Sequence, residues 1–259
     1  MQANPIFPDR NIGPQDYKTF GTNILLVTKI FPTIQGEGPF AGRRCVFIRL
    51  AGCNLGGKGV NGPGCSFCDT DFRFDNGKLM TFAEIIEAVG VIHPAPRNEH
   101  RLIVITGGEP MIQPNLIHFI KAAPVGWDFQ IESNGRQLLE NFPNSPILHP
   151  YLVVSPKVTE TTVVLYRYPI YPILSKTVIE RADCLKFVVS SDPESPYYTI
   201  PDWVDEFMGP IFVSPMAVYR KEVTSPNKAV VSIWDMDIFD QQACAYNHAH
   251  AAKIAMERG

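Results

Sequence analysis

Residues 43–70 read RRCVFIRLAGCNLGGKGVNGPGCSFCDT. A short apolar run, Val46-Phe47-Ile48-Arg49-Leu50, carries one charge and has the length of a strand rather than a helix. It runs directly into a glycine-rich stretch that holds Cys53, Cys65 and Cys68. Five Gly and one Pro lie between the first two cysteines, so the segment can wrap a compact inorganic object with its amides turned inward. Arg49 falls on the strand face opposite Val46, Ile48 and Leu50, which directs it away from a helix layer and toward an interior.

Five further runs of the same kind follow at intervals: Leu102–Thr106, Phe129–Glu132, Leu152–Ser155, Leu185–Val189 and Ile211–Ser214. They are close to continuously apolar, as strands are when helices cover one face and a packed interior the other. Helical stretches separate them. Thr81 to Val89 opens on a T-x-x-E capping box formed by Thr81 and Glu84, and Asn115–Ala123, Pro201–Met208 and Asp240–Arg258 are predicted as further helices. The expected architecture is α/β: a partial, open TIM-like barrel of about six parallel strands with helices outside, since a closed eight-unit barrel takes about 250 residues. Residues 1–23 read as an N-terminal arm and 24–259 as a single domain. An insertion near 158–181, rich in Tyr and Pro, is expected to form a hairpin or lid over the carboxyl ends of the strands. No internal repeat at a fixed period is seen.

The 259 residues are 45% apolar and 19% charged, enough to bury a core and too apolar for a disordered chain. A formal charge of -3 gives no bulk field for nucleic acid or anionic lipid, so neither nucleic acid nor a membrane is an expected partner. No apolar run approaches the roughly 20 residues of a bilayer span, and the start MQANPIFPDRNIGPQ lacks the order of a signal peptide. The expectation is a cytoplasmic protein, in which six cysteines stay reduced and a clustered subset serves metal or redox chemistry.

Three thiolates can hold an iron-sulfur cluster and leave one iron open, whereas a structural zinc site takes four closed ligands. A zinc site would have to recruit Cys45, which is separated from Cys53 by about 26 Å of extended chain and would need a sharp reversal. Cys184 and Cys244 stand alone and read as small core residues.

The cysteine segment resembles the cluster loop of radical S-adenosylmethionine (SAM) enzymes, with the usual C-x3-C-x2-C expanded here to C-x11-C-x2-C. The resemblance implies that Cys53, Cys65 and Cys68 hold a 4Fe-4S cluster whose fourth iron takes SAM, and that Phe67 packs near the adenine. ITGGEP at 105–110 resembles the motif that receives the methionyl ammonium, which implies SAM contacts from Gly107, Gly108 and Glu109. IESNG at 131–135 and SPK at 155–157 fall where ribose and carboxylate contacts occur in such enzymes, which adds Asn134, Ser155, Pro156 and Lys157. Ser214, Pro215, Met216 and Ala217 end the sixth strand at a further SAM-contacting place, although the family pattern has Gln-Pro there and Ser214 departs from it.

FPTIQGEGPFAGRRCVFIRLAGCNL followed by CSFCDT is more particular, and is similar to the 7-carboxy-7-deazaguanine synthase family. That family turns 6-carboxy-5,6,7,8-tetrahydropterin into the deazapurine with loss of ammonia, on the route to queuosine. By the resemblance, Ile34, Gln35, Gly36 and Glu37 would meet the pterin, Arg49 its carboxylate, and Thr106 a further polar atom. Thr70 would ligate Mg2+, with Asp69 beside it a solvated or turn-capping residue. The same resemblance implies a reducing electron-donor protein and a homodimer. The residue chemistry agrees: a lone guanidinium in an apolar strand calls for an anion, and a planar carboxylate is its best bidentate partner. Two other functions compete. One is a radical SAM activase that places a glycyl radical on a partner enzyme. The other is a non-catalytic, zinc-stabilised binding module. His248 and His250 read as helix-surface residues.

Overall fold

A computed structural model describes residues 21–57, 60–63, 65, 67–68, 70, 72–93, 100–158, 171–218 and 239–258, with the backbone alone for 56–57 and 60–63. The predicted arm falls almost wholly outside the described residues, as do Asp69 and residues 159–170 of the predicted insertion.

All six apolar runs are strands. β2 is Arg44–Leu50, β6 Arg101–Gly107, β7 Trp127–Ser133, β8 Tyr151–Val154, β9 Cys184–Val189 and β10 Ile211–Pro215. They pair in parallel in the order β2-β6-β7-β8-β9-β10. Two strands were not anticipated. β1, Ile24–Ile34, pairs antiparallel with β2 and with β5, Lys78–Thr81. The result is an open eight-stranded sheet with β10 and β5 at its edges. A small antiparallel pair, β3 (Gly56–Gly57) and β4 (Val60–Pro63), lies inside the long first cysteine interval.

Period two sorts each strand into two faces. Val46, Ile48 and Leu50, Ile103 and Ile105, Phe129 and Ile131, Leu152 and Val154, and Leu185, Phe187 and Val189 form one buried cluster with the helices. α1, Phe82–Ile92, contributes Ile85 and Val89, and α2, Leu116–Ala122, contributes Leu116, Ile117, Phe119 and Ile120. Phe119 sits edge-on to Phe82 at 5.4 Å and to Phe129 at 6.1 Å, pairs that each contribute about 0.5–1.5 kcal/mol beyond their burial. The other face of the strands turns inward and carries the polar residues.

The capping box forms as read. Thr81 Oγ1 accepts from the Glu84 amide at 3.3 Å, and the Glu84 carboxylate accepts from the Thr81 amide at 2.8 Å. Thr81→Ala is therefore expected to cost about 1 kcal/mol of stability, read as a lowered denaturation midpoint with an unchanged denaturant slope.

Two predicted elements differ. Pro201–Met208 is a short 3-10 turn over Asp202–Glu206, where Pro201 and the acidic first turn start a helix that does not propagate. At the described end of the 158–181 segment, Lys176–Arg181 forms a helix, α3, capped by Ser175. Tyr171 is buried against Phe187 and Tyr197. The apolar faces of Tyr171, Leu174 and Val178 draw this piece into the helix layer. The C-terminal helix α4, Gln241–Arg258, forms as predicted and packs on β10 and β9. His248 is exposed, as expected, whereas the half-buried His250 stacks on Tyr198 at 4.5 Å.

Candidate functional site: a thiol-lined cavity at the strand ends

The carboxyl ends of the parallel strands surround a cavity of ≈ 310 Å³. Its wall includes the predicted residues Gln35, Glu37, Arg49, Cys53, Cys65, Phe67, Cys68, Thr70, Thr106, Gly107, Gly108, Asn134, Ser155, Lys157, Pro215 and Ala217. The structure thus gathers predicted residues from seven separate stretches of sequence onto one surface.

Backbone contacts fix the cysteine loop. The Gly108 amide donates to Leu50 O at 3.0 Å and the Glu109 amide to Gly52 O at 2.8 Å, so the turn after β6 is stitched to the start of the loop. This contact explains the paired glycines. A Cβ on Gly108 would stand 1.7 Å from Gly52 O, and one on Gly107, whose φ is +121°, would stand 2.3 Å from Leu50 N and O. Gln113 completes the brace, bonding both the amide and the carbonyl of Leu26 and the carbonyl of Ala51.

The three thiols are half-buried and free of disulfides. Burial pushes the Cys53 thiol up to about 12 and the Cys65 thiol up to about 11. Thiols so placed ionise when a positive centre arrives to offset the desolvation. Among the described residues no three His, Cys, Asp or Glu side chains are close enough to share a single ion. The three thiols line one cavity. Cys45, the fourth ligand a zinc site would need, is buried beside Leu102 and Val104 with its sulfur 3.6 Å from Thr33 O.

Around the thiols, Phe67 packs edge-on to Tyr197 at 4.9 Å, and the Lys157 ammonium lies 5.7 Å from the Phe67 ring and bonds Ser155. Burial, then repulsion from Lys186, pulls the Lys157 pKa below its ordinary value. Asn134 Nδ2 donates to Asn54 at 2.7 Å and reaches Cys53 Sγ at 4.0 Å. Thr70 is buried, and the Cys68 thiol points at its carbonyl at 3.6 Å.

Glu109 stands behind the wall rather than in it. Its carboxylate accepts from Ser133 Oγ at 2.8 Å, the Asn134 amide at 2.7 Å and the Met111 amide at 3.0 Å. Burial raises its pKa to about 7 in spite of those three donors. Ile34, Gly36, Pro156, Ser214 and Met216 also lie off the cavity wall. Ile34 is 62% exposed at the end of β1. Ser214 bonds Glu37, and Met216 packs against the core while its carbonyl takes Asn247 Nδ2 at 2.8 Å.

Also on the wall, Arg49 and Thr106 are register partners across β2 and β6. The Arg49 guanidinium lies 5.3 Å from the Phe31 ring, and its Nε is buried with no protein hydrogen-bond partner. A buried, unpaired guanidinium nitrogen at a cavity wall is an anion-binding feature, because leaving it unmet costs about 1–3 kcal/mol. Sequence reading missed Lys186 and gave Glu132 no role. Glu132 accepts from Gln35 and Gln130, and Lys186 bridges Glu132 and Glu37. The criterion that singled out Arg49, one charge inside an apolar strand, applies equally to Lys186 in Cys184–Val189.

Comparison with known proteins agrees with this geometry. The family model of the radical SAM superfamily matches residues 48–146. A 7-carboxy-7-deazaguanine synthase of Rickettsia prowazekii is 34% identical over 225 residues, covering 82% of this chain and 86% of the relative. This chain belongs to the 7-carboxy-7-deazaguanine synthase family. A second synthase, from Thermoplasma acidophilum, is 29% identical over 71% of this chain and 78% of its own length. The crystal structure of QueE from Escherichia coli shares the fold, with a TM-score of 0.51 at 24% identity over 74% of this chain and 84% of that one. Radical SAM membership implies a 4Fe-4S cluster and SAM, and three cavity-facing thiols fit that requirement. Among the described residues no helix is long and apolar enough to cross a membrane.

Proposed function

We propose that this chain is a radical SAM lyase that converts 6-carboxy-5,6,7,8-tetrahydropterin to 7-carboxy-7-deazaguanine with release of ammonia. The observation that carries this reading is the pairing, across one cavity, of three thiols with the unpartnered Arg49 Nε. When bound, the cluster and SAM supply a carbon radical able to take a hydrogen atom from the substrate. The chain's own residues bind, orient and enclose.

Cys53, Cys65 and Cys68 hold the cluster. Phe67, Gly107, Gly108, Asn134, Ser155, Lys157, Pro215 and Ala217 form the SAM half of the wall, with Glu109, Pro156, Ser214 and Met216 supporting it from behind. Arg49 takes the substrate carboxylate, Thr106 and Gln35 its polar edge, and Glu37, with Ile34 and Gly36 in its loop, closes the cavity. Charge supports this division. Arg49, Lys157 and Lys186 face Glu37 and Glu132, which leaves one cation over for an anionic substrate group. Thr70 would hold Mg2+, which would supply a cation for the substrate's oxygens. The enzyme works as a cytoplasmic homodimer fed by a reducing electron donor. An activase would have no use for Arg49 and Gln35 at this wall, and the named relatives are synthases.

Anaerobic reconstitution followed by SAM, reductant, Mg2+ and the pterin tests the reading. About four irons per chain and a deazapurine detected by mass are expected. A cluster-loaded protein that leaves the pterin untouched would sink it. Within that assay Arg49→Met is expected to lower kcat/KM by roughly 30-fold, the equivalent of about 2 kcal/mol for a lost charge-assisted pair. SAM cleavage in the absence of pterin should persist in this variant. Unchanged kcat/KM would remove Arg49 from the substrate set.

A further inference from the structure

Lys186 is a lysine 6% exposed on a strand otherwise built of Cys, Leu, Phe and Val. A buried ammonium is costly unless carboxylates and hydrogen bonds meet it. Here it reaches over β8, the strand between its own and that of Glu132, where the facing position is Val153. Lys186 Nζ donates to Glu132 Oε2 and, at 2.9 Å, to Glu37 Oε2. Glu132 Oε1 in turn accepts from Gln35 Nε2 at 3.3 Å, and Gln35 Oε1 accepts from the Glu37 amide at 3.2 Å. The contacts form a closed ring of four residues, Lys186, Glu132, Gln35 and Glu37. It ties β9 and β7 to the segment after β1, on the far side of the open sheet.

That ring has consequences for the site. Its members line the cavity, so it is not part of the apolar core. Burial alone would lower the Lys186 pKa, but Glu132 and then Glu37 more than offset it and hold the ammonium charged. Glu37 in turn is held below the usual carboxylate range: burial raises it, and Lys186 outweighs the burial. Without the ammonium, neither carboxylate would keep a salt bridge. The 35–37 segment would then keep its base bonds, Gln35 N to Arg43 O at 2.9 Å and Gly42 N to Gln35 O at 2.8 Å, with the Gln35–Glu132 and Ser214–Glu37 contacts, but would lose the link to β9 that Lys186 supplies.

We propose that Lys186 is a positioning residue for the substrate half of the cavity, its ammonium locking Glu132, Gln35 and Glu37 into one ring that fixes the 35–37 segment over the strand ends. The nature of the ligand rests on the proposed lyase function, but the locking of the segment does not.

The test uses the full chain, anaerobically reconstituted, as Lys186→Met, Lys186→Arg, Glu37→Gln and the Lys186→Met/Glu37→Gln double variant. Amide hydrogen exchange of the peptide spanning 35–42 should rise by about tenfold or more in Lys186→Met, as local opening becomes easier. KM for the pterin should rise by about tenfold with kcat within about threefold, the pattern of lost ground-state positioning. Lys186→Arg should recover most of both. The double variant should be no worse than Lys186→Met, because both substitutions break one ring.

Unchanged exchange at 35–42 would overturn the proposal, as would an effect of Lys186→Met on KM with Glu37→Gln silent, which would make Lys186 a direct ligand. A merely structural lysine would lower thermal stability without shifting KM. Should Lys186→Met fail to take up iron, Glu37→Gln and Lys186→Arg decide by the same two readings. If the wild type leaves the pterin unconverted, the lyase function fails while the exchange measurement still decides for or against Lys186.

Discussion

Cys65→Ala is expected to strip the protein of its cluster and to lower turnover by at least about 1000-fold, equivalent to about 4 kcal/mol of barrier. The reason lies in how the three thiols are held. Cys65 and Cys68 are joined in one turn, with the Cys68 amide bonding Cys65 O at 3.2 Å, while Cys53 arrives separately on the loop stitched to Gly108 and Glu109. Two remaining thiolates cannot close three corners of a cluster. Iron content, the visible absorption of the cluster and its reducible EPR signal should fall together. Cys45→Ala is the control. That thiol is buried among Leu102 and Val104 away from the cavity, so iron should stay at wild-type content while stability drops. Loss of iron from both variants alike would show that general destabilisation, not ligation, is being measured.

What the sequence disclosed and what it withheld follow from burial. The six parallel strands were legible because helices cover one face and a cavity the other, which makes them apolar almost throughout. β1 and β5 were not. β1 contains Lys29 and Pro32 and is mostly exposed or half-buried from Thr28 onward. Only residues 24–27 have β5 as a second neighbour, so Pro32 lies in the half that is an edge, where a missing amide is tolerated. The thiols, Arg49 and the paired glycines could be read because each is an unusual residue for its place. Glu132 and Lys186 escaped because their meaning is relational. Each is costly alone and makes sense only once the fold brings β7, β9 and the 35–37 segment together. Gln113 is the same kind of case, a loop residue by pattern and a clamp between Leu26 and Ala51 in space.

Gly108→Ala carries the second large effect, and it acts without removing a thiol. The added Cβ would stand 1.7 Å from Gly52 O and 3.1 Å from Cys53 N, so the chain must move. Gly52 has nowhere to go. Its amide donates to Phe72 O at 2.7 Å and its carbonyl accepts from the Glu109 amide at 2.8 Å. Its own Cα, at φ +85°, faces the Phe74 ring, which an added Cβ there would meet at 2.5 Å. The strain therefore passes to the next residue in the chain, Cys53. Overpacking of this kind costs about 1–3 kcal/mol, and a displacement of about 1 Å at a catalytic centre can cost on the order of 100-fold in rate. The expected variant is folded, with a lowered melting temperature, less than half the wild-type iron and at least about 100-fold less turnover. Gly90→Ala is the matched control: in α1, with nothing within 4 Å of the added Cβ, it should stabilise by about 0.5–1 kcal/mol and leave iron unchanged. Full iron and wild-type turnover in Gly108→Ala would mean that the turn after β6 does not set the position of Cys53.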